Sequence, residues 1–154
     1  MSLLSFFQWL DHTGAGDVLR NSVPLYTSVE IVHLLGLALL VGTILIVDVG
    51  LMGIGMRRQP VSRIAEGLAP FTWAGFAVMV ATGPLLLSSQ AMKCYHSRVF
   101  WTKMALLLLA VVFHFTIHRQ ATAEDSRVNG KIAGAVSLLL WVATASAAKW
   151  VEFA

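Results

Sequence analysis

The chain has 154 residues, of which 57% are apolar and only 12% charged, with a mean hydropathy of +0.75. Soluble domains carry about one quarter charged residues, so the composition argues against a water-soluble enzyme domain and for the membrane class. The formal charge is +3, with Lys and Arg confined to loops and helix ends, a pattern that suits lipid headgroups and lacks the basic stripe that nucleic-acid binding needs.

The opening stretch, MSLLSFFQWLDHTG, has no basic leader and is too short to span a bilayer, so it is not read as a secretory signal. Leu3, Phe6, Phe7 and Leu10 share one helical face, with Gln8 and Asp11 turned away. Residues 1–13 are therefore expected to form an amphipathic helix lying in the interface, with Trp9 at headgroup level. Four apolar stretches follow, each near the roughly 20 residues that a spanning helix requires: about 24–55, 68–89, 99–118 and 132–151. Pro24 stands at the start of the first, where a missing N–H has no partner to lose, and Pro84 is expected to kink the second.

The connections RRQPVSR, QAMKCYHSR and RQATAEDSRVNGK are short, and short loops force consecutive helices to run antiparallel. The expected fold is all-α and integral to the membrane: one domain over 1–154, an antiparallel four-transmembrane-helix bundle with a short N-terminal interfacial helix. Loops one and three hold Arg57, Arg58, Arg63, Arg119, Arg127 and Lys131, against Arg20, Lys93, Arg98, Lys103 and Lys149 on the other side. The positive-inside rule then places both termini in the periplasm of a bacterial inner membrane. Gly130, Gly134 and Ser137 form a small-residue face of the kind that lets helices approach closely and that would suit a homo-oligomer.

Against this apolar background a few ionisable residues stand out, and inside a membrane such residues are candidates for function. Glu30 and His33 interrupt the first span three residues apart. That stretch, at about 1.5 Å per residue, is about 48 Å long, well beyond a ~30 Å hydrocarbon core, so its beginning is expected near the outer headgroups. Lys93, Cys94, Tyr95, His96 and Lys103 are expected on the same side. Counting 100° per residue also puts His96, Lys103, Leu107, His114 and His118 on one stripe of the third span. Asp48, His114 and His118 gather toward the opposite end.

Three chemistries fit this set. In the first, His33 is the axial ligand of a haem b, with His96 as a second ligand and Lys93, Arg98 and Lys103 pairing with the propionates. Gly36, one turn below His33, would leave room for the flat macrocycle, and Glu30 would hold the other imidazole nitrogen. His114 and His118, on one face of one helix, cannot sandwich a single haem and are weaker candidates, with interface marking as their plain alternative. In the second, copper is bound by His33, His96 and Cys94; the Glu30-x-x-His33 spacing also occurs in di-iron bundles, which need a second such pair that is missing here. In the third, Glu30 makes a structural ion pair with Lys93 or Lys103 and nothing is bound. Cys94 is the single cysteine, so no internal disulfide can form. Neither a P-loop nor a G-x-G-x-x-G motif is present, and no conventional catalytic motif marks an enzyme.

The segments VEIVHLLGLALLVGTILIVDVGLMGIGMRRQPV, TGPLLLSSQAMKCYHSRVFWTKMALL and AAKWVEF resemble those of a family of short bacterial inner-membrane proteins known only as a domain of unknown function. The resemblance covers nearly the whole chain. It implies fold and localisation but no activity, and it marks His33, Lys93, Cys94, Tyr95 and Lys103 as signature positions while leaving His114 and His118 outside the pattern. In layout the chain is also similar to copper-resistance membrane proteins and small four-helix b-type cytochromes. The leading expectation is thus a membrane-embedded, cytochrome b-like haem protein that transfers electrons, with the quinone pool or another redox protein as partner. The alternative is a non-enzymatic membrane protein that binds copper, iron or lipid, or serves assembly, without haem.

Overall fold

The computed structural model describes residues 2–54, 60–118 and 127–153, and every regular element among them is helical. Helix α1 (Leu3–Asp11) starts at Ser2, whose hydroxyl accepts the Ser5 N–H. Helix α2 (Gly14–Asn21) starts in the same way at Thr13 and carries Asp17 in its first turn and Arg20 in its last, the charge order that its dipole favours. Arg20 also donates to the Asp11 carbonyl at 2.7 Å, which ties α2 back to α1.

Four helices are long and apolar enough to cross a membrane. They are α3 (Val23–Leu51), α4 (Val61–Ser89), α6 (Arg98–Phe113, continued by a π-helical turn over His114–His118) and α7 (Arg127–Phe153). Between α4 and α6 lies a short helix, α5 (Ala91–His96). The first span ends four residues short of the expected Gly55. Gly53 adopts φ +79°, its N–H bonds the Gly50 carbonyl, and the Ile54 N–H reaches back to Val49. This is a Schellman stop, and glycine supplies the left-handed residue that it needs. The second span begins at Val61 rather than 68, because Pro60 occupies the cap position and the helix starts directly after it.

Helices α3 and α4 meet most closely. As the chain rises along α3, its partners fall along α4: His33 meets Thr82, Gly36 meets Val78 and Gly75, and Thr43 meets Thr72. Glycine makes this approach possible. A Cβ on Gly75 would stand 2.8 Å from the Leu40 amide nitrogen and 2.9 Å from the Gly36 carbonyl oxygen. Against the other end of α3 packs α7, where a Cβ on Gly134 would come within 2.7 Å of the Asp48 carbonyl oxygen. The small-residue face, expected to let helices approach closely, is thus used at Gly134 to seat α7 on α3.

One cluster joins all four long helices: Leu40 and Ile44 from α3, Ala110 from α6 and Trp141 from α7 are buried together, with Phe76 and Met79 of α4 packed on them. A second cluster lies at the His33 end, where Phe7, 5% exposed, packs with Ala91 and Phe100. Helix α1 therefore docks by one ring onto the α5–α6 junction, while Leu3, Phe6 and Trp9 from the same short helix remain exposed. Large apolar side chains also cover the outer surfaces of the long helices, Leu35, Leu108 and Leu139 being each about two-thirds exposed.

Candidate functional site

His33 is half-buried on α3, and its Nδ1 lies 2.6 Å from the Thr82 hydroxyl on α4. The Thr82 hydroxyl in turn lies 2.6 Å from the Val78 carbonyl oxygen. A carbonyl only accepts, so the threonine proton points to Val78, and the proton between His33 and Thr82 must come from Nδ1. This network assigns the neutral ring as the Nδ1–H tautomer and leaves the lone pair on Nε2. That is the form in which an imidazole ligates a metal, held by an outer partner. The ring edge rests beside Gly83, where a Cβ would stand 3.7 Å from Cε1.

Two sequence expectations change here. Glu30 is not the group that holds the second nitrogen of His33; Thr82 from the facing helix does so. A residue at i−3 lies one turn away on the same helix, whereas the close α3–α4 approach brings the threonine hydroxyl directly to the ring. Gly36 is likewise not a slot for a macrocycle: Val78 fills it, and a Cβ there would meet Val78 Cγ1 at 2.6 Å.

Around His33 the expected cations are only partly gathered. Lys103 of α6 is half-buried and acts electrostatically on both His33 and Cys94. Lys93 and Arg98 are exposed at the same end of the molecule. Burial pushes the Cys94 thiol up, and the charges of Lys103 and Lys93 offset part of that rise. Tyr95 packs its ring on Phe7 at 5.3 Å, and its carbonyl accepts the Trp101 indole N–H at 3.0 Å. His96 is exposed, and its Nδ1 donates to the Met92 carbonyl at 2.9 Å, so that the neutral ring has its lone pair on Nε2.

The stripe counted along the third span is broken at its first residue, while Lys103, Leu107 and His114 keep one register. Ser97 is extended (φ −82°, ψ 116°) and caps α6 by accepting the Phe100 N–H, so His96 belongs to a different helix. His114 keeps the α register of α6, its N–H bonding the Ala110 carbonyl, and the π-helical turn over His114–His118 shifts only the residues that follow. His114 lines a cavity between α3, α4, α6 and α7, far along α4 from Thr82, and the side chain of His118 lies outside the described residues. Asp48 is fully buried on α3, opposite Gly134. Arg57, Arg58 and Arg119, which weigh on orientation, also lie outside the described residues.

Among the described residues no three His, Cys, Asp or Glu side chains come together as metal ligands. His33, His96 and Cys94 are therefore not assembled into a copper site: one sits on α3 and the other two on α5, held by different neighbours. The residue that sequence reasoning missed is Thr82. A face count along the second span would have found it, because Thr72, Gly75, Met79 and Thr82 form a single stripe at helical spacing.

No curated protein and no solved structure matches this chain. The model of a family of unknown function, DUF6644, matches residues 6–154, and the chain belongs to that family.

Proposed function

We propose that this chain is a multi-pass protein of the bacterial inner membrane, an antiparallel four-helix bundle with both termini periplasmic. We propose further that it holds haem b through His33 and serves electron transfer. The membrane reading is supported by four apolar helices whose outward faces are covered by large aliphatic side chains that lipid would shield. The haem reading rests on one observation: the Val78–Thr82–His33 relay holds a half-buried imidazole in the tautomer whose Nε2 can ligate.

The residues of the site fit such a group in donor chemistry. His33 would ligate the iron, Thr82 would fix the orientation of its ring, and Lys103, Lys93 and Arg98 would pair with the propionates. His96, whose Nδ1 is held by the Met92 carbonyl, would be the candidate for a second ligand. Haem b, when bound, supplies a one-electron centre; the chain supplies ligand, orientation and countercharge. Titration of purified apo-protein with haemin tests this assignment. Wild-type protein and His96→Ala should bind with a sharpened Soret band, whereas His33→Ala should not. Equal binding by His33→Ala and wild type would remove His33 from the role.

A second reading, a binding protein without haem, is favoured by the cavity at His114, which is built independently of His33. In that case the purified protein takes up no haemin, and His33–Thr82 is a helix-to-helix clasp.

A further inference from the structure

The cavity at the far end of the helices has a volume of about 480 Å³. Sites for small organic ligands run from about 300 to 1,000 Å³ and favour the space between helices of a bundle. Three rings form one wall: Trp73 lies 5.3 Å from Phe115 and 6.0 Å from Phe76, and Phe76 lies 6.2 Å from Phe115. Trp141, 4% exposed, lines it from α7. Into this aromatic box come two ionisable groups, the half-buried His114 and the exposed Glu66. The π-helical turn opens over His114–His118 beside the cavity, and such turns are frequent at functional sites.

These features select among ligands. Flat rings pack against aromatic walls with orientation energy that a saturated chain does not gain. No Lys or Arg lines the cavity among the described residues, and Glu66 adds negative charge, so a ligand with carboxylates, haem included, is disfavoured there. A neutral ring bearing carbonyl oxygens fits both conditions, since an imidazole N–H donates to a carbonyl. The apolar surfaces on either side of the cavity would accommodate an isoprenoid or alkyl tail.

We propose that this cavity binds the head group of a membrane quinone, with His114 donating to a ring carbonyl, Trp141 and Phe76 packing on the ring from inside, and the exposed Trp73 and Phe115 flanking it at the opening. The binding site is independent of His33; only its use in electron transfer rests on the haem reading.

The test uses the full chain in detergent micelles and a short-chain ubiquinone as probe, because quinones quench tryptophan emission on contact. Saturable quenching is expected, and it should vanish in Trp73→Phe/Trp141→Phe although Trp9, Trp101 and Trp150 remain. Filling the cavity by Ala69→Phe, and removing the donor by His114→Leu, should each weaken the apparent Kd at least tenfold. Circular dichroism reports whether each variant is folded, and the one that folds decides. His33→Ala should bind the probe like wild type, so failure of the haem reading leaves this result standing. The proposal is overturned by quenching that does not saturate, by quenching that survives in the double tryptophan variant, or by equal displacement with decanol.

Discussion

Gly75→Ala probes the contact on which the site depends. An added Cβ would meet the Leu40 amide nitrogen at 2.8 Å, the Gly36 carbonyl oxygen at 2.9 Å and Leu40 Cβ at 3.0 Å. Two of these are backbone atoms and cannot swing aside, so α3 and α4 must separate by several tenths of an ångström. Overpacking of this kind costs about 1–3 kcal/mol. Alanine also gains up to about 1 kcal/mol over glycine from helix propensity, which would blur a single measurement. Gly67→Ala, on the same helix with nothing within 4 Å of its new Cβ, carries the propensity gain without the clash. The difference between the two variants therefore isolates the steric cost, and Gly75→Ala should be the less stable by about 1–3 kcal/mol. Thermal unfolding in detergent, followed by circular dichroism, reads it. Thr82 lies two turns from Gly75 along α4, so the separation should also lengthen the 2.6 Å His33–Thr82 hydrogen bond. Equal stability of the two variants would refute the close α3–α4 approach, and with it the geometry of the relay.

Thr82→Val keeps the shape but removes the acceptor for His33 Nδ1–H; haemin affinity should fall about 10- to 100-fold, as for other outer partners of ligating histidines, and Thr82→Ser should restore most of it. Phe7→Ala empties the pocket at the α5–α6 junction, where large-to-small changes cost about 3–5 kcal/mol in well-packed cores; α1 should undock, read as faster hydrogen exchange over residues 3–11 with the long helices unchanged. For Cys94 the raised thiol means less thiolate at any given pH, so its alkylation profile should lie at higher pH than that of a free cysteine. Lys103→Met removes a charge that favours the thiolate, and should push the profile higher still.

The long helices were legible because their length and apolarity dominate every other signal. Their ends were not: the Schellman turn at Gly53 and the cap at Pro60 depend on single residues that a hydropathy window averages away. Helices α2 and α5 escaped because each is a short polar segment whose order comes from packing, Leu19 and Gly16 in one case and Ala91 in the other. At the site, His33 was visible as an ionisable group in an apolar run. Its partner was missed because threonine is ordinary in such a helix; the stripe through Thr72, Gly75, Met79 and Thr82 marks the face, and the approach of α3 to α4 singles out Thr82 on it. Glu30 was favoured through proximity in sequence, which on a helix competes poorly with a hydroxyl delivered from the facing element. The stripe through His96 and His114 assumed one unbroken helix, and the extended Ser97 interrupts it between them.

The most direct measurement is the absorption spectrum of the protein purified in mild detergent from haem-replete cells, with a pyridine haemochrome assay of the same sample. A Soret band, haem b in the assay and loss of both in His33→Ala are the results expected. A colourless wild-type preparation, with no haem b in the assay, would contradict the assignment of His33 as an iron ligand.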